Sequence, residues 1–291
     1  MSPERATGSL DGAAGLGAGD HVCWTYRSDE ERRQVLTTFL VDGSRRGDQL
    51  VYWALEGGGD PLLDDLRGAR DEVDAFIETG RLVVQPARAV YTPDGAFDPG
   101  AMLDNFRVLT AQALQEGRSG LRVATEVAWL LGHPDALAHW DAYELRADLL
   151  AAQLPLTVMC GYDMRQCDPA ELPIVQAVHQ LASPPPAPGT PPLRLYGTAD
   201  GGLGLEGDLD YRWAGRVESL LTATAGDLRV PLLDISGLQL ADVAGMRAVA
   251  TGARQLARTL DHVELRGASA NFRKLWRLLR FDRLGNVAMP T

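Results

Sequence analysis

Apolar residues in the first 180 positions occur in short runs, and amphipathic stretches separate these runs. The runs are typical of buried strands: "HVCWTY", "DQLVYWAL", "RLVVQPA", "LRVATEVAW" and "LTVMCGYD". Between them, stretches such as "DEERRQVLTTFLVDGSRRG" repeat apolar residues at helical spacing and stop at a glycine. Strands that alternate with amphipathic helices predict an α/β domain whose mostly parallel sheet is covered on both faces.

A proline-rich segment divides the chain. Six prolines stand among the eleven residues Ala182–Pro192, a composition that excludes a helix and favours an extended spacer. The length of 291 residues also suits two domains. We predict a flexible tail over residues 1–19, a first domain over 20–181, a linker over 182–192 and a second domain over 193–291.

The second half predicts a smaller α/β domain with helices over one sheet. "LRLYGTADG" and "GLGLEGDLD" are typical of a hairpin, and "YRWAGRVESLLTATA" is typical of a helix. In "LLDISGLQLADVAGMRAV" (residues 232–249) the pattern predicts a buried strand that ends at Asp234, a turn, and a helix that begins at Asp242. The strand "DHVELRGAS" and the amphipathic helix "ANFRKLWRLLRF" complete the domain.

Charge and composition narrow the class of protein. A formal net charge of -11 and a pI near 4.9 would repel a phosphate backbone, so we expect no direct nucleic-acid partner. The first twenty residues lack the basic and apolar regions of a signal peptide, and no apolar run approaches the roughly 18 residues of a membrane span. Three widely spaced cysteines suit reduced thiols. These features predict a cytoplasmic protein.

Parallel sheets bind ligands where the carboxyl ends of their strands meet. In the first domain these ends carry Trp24–Tyr26, Glu126–Trp129 and Cys160–Asp163. A carboxylate such as Glu126 is costly to bury unless it is paired or binds a ligand; a salt bridge to Arg122 or a helix-capping bond is the structural alternative. The aromatic side chains at these ends form either a small-molecule pocket or ordinary core.

Two enzymatic alternatives concern the same strand ends. A nucleotide site needs glycines and a lysine around the phosphates, but the turn "YRSDEERR" has neither and carries three acids, so no nucleotide is expected. A metal-dependent enzyme would draw on Glu126, Asp163 and His21. The first and last strands and the turn after them offer four soft ligands, namely His21, Cys23, Cys160 and Cys167. Because these residues lack the close C-x₂₋₄-C spacing of structural zinc sites, we predict no metal and interpret them as alternating strand side chains and buried thiols.

Several blocks of the first domain resemble, in order, the MEDS domain, a sensory domain of bacterial and archaeal regulators. The blocks are "GDHVCWTYRSDEERRQVLTTFLVDGSRRGDQLVYW", "GAFDPGAMLDNF", "GLRVATEVAWLL", "DAYELRADLL" and "LTVMCGYDMRQCDPAELPIVQAVH". The resemblance implies a RecA-like α/β core that lacks a phosphate loop and senses small organic ligands. The positions that match the family's motifs are His21, Cys23, Glu126, Trp129, Tyr143, Glu144, Cys160, Tyr162 and Asp163. Where the family often has His-Pro, this chain has His179 followed by Gln180.

The strand ends and the resemblance together predict one ligand site in the first domain. The predicted ligand-binding residues are His21, Cys23, Trp24, Tyr26, Glu126, Trp129, Tyr162 and Asp163. We expect an organic ligand of unknown identity there, and no catalytic residues.

The second half resembles a STAS domain, the fold of anti-sigma factor antagonists, in the blocks "LEGDLD", "VPLLDISGLQLADVAGMRAV" and "VELRGASANFRKLWRLLRFDRL". In that family a serine or threonine after the aspartate of the strand–helix turn accepts phosphate from a partner kinase, and the added charge alters docking. Here Asp242 and Gly245 are present, but Val243 and Ala244 stand where hydroxyls are expected. Ser236 is expected to bond the local backbone instead.

The STAS resemblance implies a partner-binding surface that does not depend on phosphate. Its predicted residues are Asp234, Ser236, Asp242, Val243, Ala244, Gly245 and Met246. We predict a non-enzymatic regulator whose first domain senses a ligand and whose second domain binds an anti-sigma factor or a serine kinase-like partner, with transcriptional output. An enzyme at the first domain's strand ends, a structural adaptor and a homodimer stay open as alternatives.

Overall fold

The computed structural model describes residues 5–55, 59–93, 95–131, 134–183 and 193–290. Within these residues the strands are β1 Gly8–Ser9, β2 His21–Tyr26, β3 Gln49–Ala54, β4 Leu82–Pro86, β5 Leu121–Glu126, β6 Leu156–Asp163, β7 Leu181–Ser183, β8 Arg194–Gly197, β9 Leu203–Leu209, β10 Leu232–Ala241, β11 Val263–Arg266 and β12 Val287–Ala288. The α-helices are α1 Asp29–Arg46, α2 Gly59–Ala69, α3 Val73–Glu78, α4 Ala87–Tyr91, α5 Pro99–Gln115, α6 Ala128–Leu131, α7 Pro134–Ala151, α8 Leu172–Ala177, α9 Tyr211–Ala223, α10 Val243–Leu260 and α11 Ala270–Leu278.

Local sequence signals explain where the main helices begin and end. The Ser28 side chain accepts a hydrogen bond from the Glu31 backbone amide at the start of α1. Acidic residues occupy the first turn, where they are attracted to the positive end of the helix dipole. The helix is capped at its end by Gly47, whose φ of 85° is a left-handed conformation that glycine adopts without strain and other residues do not. Asp98 caps α5 in the same way. The predicted boundaries of these helices follow from such caps.

The first domain contains a seven-stranded sheet in the order β1-β7-β2-β6-β5-β3-β4. Every neighbouring pair in it is parallel. One face packs with α5 and α7 around Phe106 and Tyr143, and the other packs with α1, α2 and α3 around Phe39 and Leu62. The prediction of an α/β domain with a mostly parallel sheet covered on both faces is confirmed.

The amino-terminal segment differs from the prediction of a flexible tail over residues 1–19. Strand β1 pairs with β7, and Ala13 and Leu16 are buried in the core beside α1. Arg5 forms an ion pair of 2.9 Å with Asp148 of α7. The Arg122 guanidinium donates to the Leu16 carbonyl at 2.6 Å. Residues 5–19 are therefore part of the first domain; residues 1–4 lie outside the described residues.

The last strand of the first sheet reaches past the predicted end of the first domain. Strand β7 pairs with β2 through Leu181–Ser183, so the first sheet extends two residues into the predicted linker. The remainder of that predicted linker, residues 184–192, lies outside the described residues. Of the helices in the described part of the chain, none has the length and apolar character needed to traverse a bilayer.

The second domain contains a five-stranded sheet in the order β12-β11-β10-β9-β8. The predicted hairpin is present as the antiparallel pair of β8 and β9, and the remaining pairs are parallel. The predicted turn after Asp234 is wrong, because β10 continues to Ala241 through two register shifts against β9. Such irregularities bend a strand without ending it, so Asp234 lies within the strand.

Helix α7 lies between the two sheets and is buried on both sides. Tyr143 and Leu150 pack into the core of the first domain, whereas Leu145 and Leu149 pack into the core of the second. At Gly197 of β8, an added Cβ atom would lie 2.8 Å from the Leu149 Cα atom. Because the helix and strand approach at backbone contact, a glycine is required there.

Candidate functional site

Strand alternation separates the predicted ligand site into two clusters. Successive side chains of a strand point to opposite faces of the sheet. In β2, His21 and Cys23 face α7, whereas Tyr26 lies on the other face with Glu126. We define the histidine cluster as His21, Glu144, Asp148, Cys160, Tyr162 and His179. We define the Glu126 cluster as Tyr26, Arg32, Tyr52 and Glu126.

The Glu126 cluster is a buried carboxylate held by two tyrosines from neighbouring elements. The Tyr26 hydroxyl donates to Glu126 Oε2 at 2.6 Å, and the Tyr52 hydroxyl donates to Oε1 at 3.2 Å. A Cβ atom added at Gly161 would lie 2.8 Å from Oε2, so this glycine makes room for the carboxylate. Burial raises the pKa of Glu126 and outweighs the lowering by the tyrosines and Arg32. The predicted salt bridge of Glu126 to Arg122 is not formed, since Arg122 pairs with Asp48.

The other predicted strand-end residues have local structural partners. The Trp129 indole donates to the Glu126 carbonyl at 2.9 Å, and the Arg88 guanidinium lies 4.6 Å over the indole ring. Burial would raise the pKa of Asp163, but bonds from Arg165 and Gln166 outweigh it and lower the pKa.

Two further predicted ligand residues join different cores. Trp24 is partly buried against the core beside α1. Cys23 is fully buried in the core beside α7.

The histidine cluster joins β2, β6, α7 and the segment after α8. Glu144 Oε2 lies 3.2 Å from His21 Nε2 and 3.5 Å from His179 Nε2. Cys160 Sγ lies 3.5 Å from His21 Nε2 and 3.7 Å from Glu144 Oε2. The second oxygen, Oε1, accepts a hydrogen bond of 2.8 Å from the Tyr162 hydroxyl. The two imidazole rings stack with centroids 4.1 Å apart.

The charges in the histidine cluster follow from burial and mutual contact. Burial would lower the pKa of His21, but Asp148 and Glu144 outweigh it and raise the pKa. Burial and the neighbouring His21 lower the pKa of His179 to about 4. Burial opposes ionisation of Glu144, yet the two histidines lower its pKa. At neutral pH Glu144 is therefore a carboxylate and His179 a neutral imidazole.

Asp148 connects the histidine cluster with the rest of the molecule. Its Oδ1 atom lies 3.4 Å from His21 Nδ1, and its Oδ2 atom accepts a hydrogen bond of 2.6 Å from the Gly197 amide of the second sheet. Arg5 pairs with the same carboxylate and also donates to the Gln180 side chain at 2.5 Å. One fully buried carboxylate thus contacts the cluster, the amino-terminal segment and the second domain.

Sequence reasoning missed several members of these clusters. Asp148, Arg32 and His179 were not predicted as site residues, and Glu144 was noted only through the family resemblance. A signal for Asp148 exists in the sequence, because Glu144 and Asp148 lie one turn apart on α7, next to the apolar positions Tyr143 and Ala147. The proposed catalytic set of Glu126, Asp163 and His21 is not brought together, since Glu126 and His21 lie on opposite faces of the sheet.

The predicted partner surface is placed around the start of α10. Asp242 caps two helices: its side chain accepts bonds from the Gly245 amide at 2.7 Å and from the Tyr211 amide of α9 at 2.9 Å. Val243 is 52% exposed, whereas Gly245 and Met246 are buried, and Ala244 is half-buried.

Two members of the predicted surface lie apart from that turn, within β10. Asp234 pairs with Arg266, and its side chain accepts a bond from the Ser236 amide at 2.9 Å. The Ser236 backbone amide makes this bond, so the hydroxyl-to-backbone bond expected of Ser236 stays a prediction; Ser236 adjoins Gly267. At the start of α10, Val243 is therefore the predicted partner-binding residue whose side chain is exposed to solvent, because Gly245 and Met246 are buried.

Comparison with known proteins assigns the first domain to a family. Residues 20–180 match the family MEDS, described as the MEthanogen/methylotroph, DcmR Sensory domain. The chain belongs to the MEDS family, and this membership indicates a sensory role in signalling. The match ends before the second domain, so the STAS-like interpretation of residues 193–291 stays a prediction.

Other comparisons add little to this assignment. Among curated proteins none matches this sequence. A solved structure that is similar to this chain is that of the flagellar accessory protein FlaH from Methanocaldococcus jannaschii. The similarity covers 62% of this chain and 73% of FlaH, at 10% identity and a TM-score of 0.35.

Replacing Glu126 by glutamine is expected to remove one pH-dependent contribution to stability. Because burial raises its pKa above the ordinary value of 4.5, the folded chain holds this proton more tightly than the unfolded chain does. The resulting stabilisation is complete below the ordinary value and is lost as pH rises through the raised pKa. Denaturant unfolding at several pH values should show a wild-type stability, relative to Glu126→Gln, that declines as pH rises. Glu116→Gln, which alters an exposed glutamate, is the matched control. A stability difference between the wild type and Glu126→Gln that stays constant with pH would contradict the expectation.

Proposed function

We propose that this chain is a non-enzymatic cytoplasmic regulator in which the first domain senses a small organic ligand and the second domain binds a protein partner. One observation carries the proposal. Helix α7 supplies two carboxylates to the buried histidine cluster and, from the same turns, contacts the second sheet. Membership of a sensory family supports the sensing half.

Helix α7 provides a physical route between the domains. Asp148 contacts His21 on one side and the Gly197 amide on the other. Arg146 pairs with Asp227 at 2.7 Å, and Asp141 pairs with Arg216 of α9. A displacement of α7 within the first domain therefore acts directly on β8 and α9. A ligand shifts such an equilibrium only if it binds the two arrangements with different affinity.

The sensing end of the proposal is the Glu126 cluster. Its buried carboxylate is placed at the carboxyl end of β5, and parallel sheets bind ligands at such ends. The Trp129 indole, with the Arg88 cation over its ring, donates to the backbone carbonyl of Glu126. A ligand that donates a hydrogen bond to Glu126 would replace a tyrosine hydroxyl and disturb the contacts between β2, β3 and β5.

The partner-binding end of the proposal is a groove between β10 and α11. A cavity of about 420 Å³ there is lined by Leu238, Leu240, Met246, Phe272, Lys274 and Leu275, among others. Two of its lining side chains are large, apolar and exposed, namely Leu240 at 53% and Leu278 at 67%. Exposed apolar side chains around a concave surface are typical of a protein-binding site.

We infer a STAS-like output that works without phosphate. The hairpin followed by parallel strands supports this inference. The capped start of α10 supports it too, because Val243 and Ala244 offer no hydroxyl there. The partner that fits the groove inserts an apolar side chain and carries acidic residues that face Lys274. An anti-sigma factor or a serine kinase-like protein is the proposed class, and altered transcription is the proposed output.

Native and denaturing mass spectra of the purified full-length protein test the sensing half. We expect an organic mass that is retained only in the native spectrum and is lost on Glu126→Ala or Trp129→Ala. Glu116→Ala, which alters an exposed glutamate, should retain it.

Three other results would contradict the proposal in different ways. A bare chain would favour a structural adaptor, and a retained nucleotide would favour an enzyme. A native spectrum that retains a metal ion but no organic molecule would contradict the proposal that the first domain binds an organic ligand.

A further inference from the structure

The proposed function assigns no ligand to the set of four side chains His21, Glu144, Cys160 and His179 within the histidine cluster. They are fully buried, and one ligand atom from each lies within 4.8 Å of the others. Two imidazoles, a thiol and a carboxylate converge there in an interior where every buried polar group needs a partner. We propose that this set binds a transition-metal ion, with Zn²⁺ as the ion that fits best.

The spacing of the ligand atoms fits a tetrahedral zinc site. With bonds of about 2.0–2.1 Å to nitrogen or oxygen and about 2.3 Å to sulfur, a tetrahedron places nitrogen and oxygen ligands about 3.3 Å apart and sulfur about 3.6 Å from either. The His21–Glu144 and His179–Glu144 separations are 3.2 and 3.5 Å. Cys160 Sγ lies 3.5 Å from His21 and 3.7 Å from Glu144. These four of the six separations match a tetrahedron, and the ligand atoms of all four residues lie within 4.8 Å of one another.

The outer partners orient each ligand atom toward a common point. The Nδ1 atom of His179 lies 2.7 Å from the Val175 carbonyl, to which it donates a hydrogen bond, and this tautomer leaves Nε2 with a free lone pair. Asp148 Oδ1 lies 3.4 Å behind His21 Nδ1, on the side of the ring away from Glu144. Tyr162 holds Oε1 of Glu144, so that Oε2 faces the cluster. Carboxylates and carbonyls behind ligating histidines are the usual second layer of a metal site.

An unsatisfied atom provides a second, independent observation. Within the described residues His179 Nε2 is fully buried and makes no hydrogen bond, although it points at Glu144 Oε2. A buried acceptor without a donor is costly, and a metal ion would satisfy it. The total charge also balances, because a divalent ion neutralises one carboxylate and one thiolate in an interior that disfavours net charge.

The type of ligand selects the ion. Sulfur and imidazole nitrogen favour Zn²⁺ over Mg²⁺ and Ca²⁺, which prefer oxygen. Four protein ligands from β2, β6, α7 and the segment after α8 would close the coordination sphere, as in structural zinc sites. The ion would therefore fasten α7 to the sheet. This inference does not depend on the Glu126 cluster binding an organic ligand.

The set differs from the metal ligands considered in the sequence. His21 and Cys160 are members of both sets. Cys23 and Cys167 are replaced by Glu144 and His179, which come from a helix and from the end of the domain.

Metal content of the full-length protein, measured by mass spectrometry after equilibration with Zn²⁺, tests the inference. We expect about one zinc per chain for the wild type and for Cys167→Ser, which removes a thiol outside the set. Cys160→Ser and His179→Ala should each lose most of it, weakening zinc binding at least about tenfold. Zinc uptake that is unchanged by Cys160→Ser would overturn the assignment.

Cobalt substitution in the wild type keeps the test independent of variant folding. Binding of Co²⁺ displaces the Cys160 proton and should produce a thiolate-to-metal absorption band together with tetrahedral ligand-field bands. A wild-type protein that takes up neither Zn²⁺ nor Co²⁺ in stoichiometric amount would refute the site. Because the readout is an ion and not an organic mass, its failure is distinct from failure of the sensing proposal.

Discussion

Replacing Asp148 by alanine is expected to lower the free energy of unfolding by about 3–5 kcal/mol. The carboxylate is fully buried and lies between the Arg5 guanidinium, His21 and the Gly197 amide. Its removal leaves the buried Arg5 cation without its counter-charge and the Gly197 N–H group without its acceptor, and an unpaired buried charge costs more than the pair contributes. Denaturant unfolding followed by circular dichroism measures this loss.

Hydrogen exchange should locate the effect of Asp148→Ala at the domain contact. We expect faster exchange in β8 and in residues 5–9, because both are held by this side chain. Asp148→Asn keeps an acceptor for the Gly197 amide but loses the charge that faces Arg5, so its loss of stability should be intermediate.

The ion pair of Arg146 and Asp227 is the matched control for Asp148. It also joins α7 to the second domain, but its side chains are 30% and 16% exposed. Asp227→Ala is therefore expected to cost no more than about 1 kcal/mol. Equal losses in Asp148→Ala and Asp227→Ala would contradict the special role of the buried carboxylate.

Deleting residues 1–17 is expected to destabilise the protein by at least about 4 kcal/mol. The deletion removes the Arg5 partner of buried Asp148, worth about 3–5 kcal/mol when such a pair is broken. It also removes the buried Leu16 side chain, worth about 1.5–3 kcal/mol. The Leu16 carbonyl, which accepts a bond from Arg122, is lost as well.

Thermal and denaturant unfolding of the deletion variant measure this effect. Ala14→Ser, which alters an exposed position in the same segment, should leave the midpoint nearly unchanged. A deletion variant as stable as the wild type would show that the segment contributes nothing to the fold, as a flexible tail would.

Local patterns were sufficient to predict most elements of both domains. The alternating apolar runs and the caps at Ser28, Asp98 and Asp242 are properties of neighbouring residues, so helices, strands and the α/β class could be read from the sequence. The turn placed after Asp234 failed because β10 continues through two register shifts against β9, and such irregularities depend on the neighbouring strand.

The candidate site was predicted only in part. Parity along β2 is visible in the sequence and would have separated His21 from Tyr26, since odd and even positions of a strand face opposite sides. The side chains that join His21 could not be found this way. Glu144 lies on a helix and His179 follows another helix, and neither is near His21 along the chain.

The sequence by itself determined the α/β class, the order of the elements and the family of the first domain, because these follow from local periodicity and from motifs. Only the tertiary structure decided that residues 5–19 dock on the domain, since β1 pairs with a strand about 170 positions away. It also decided which polar groups meet. Burial between α7 and the two sheets, and not spacing along the chain, brings His21, Glu144 and Asp148 together and connects them to the second domain.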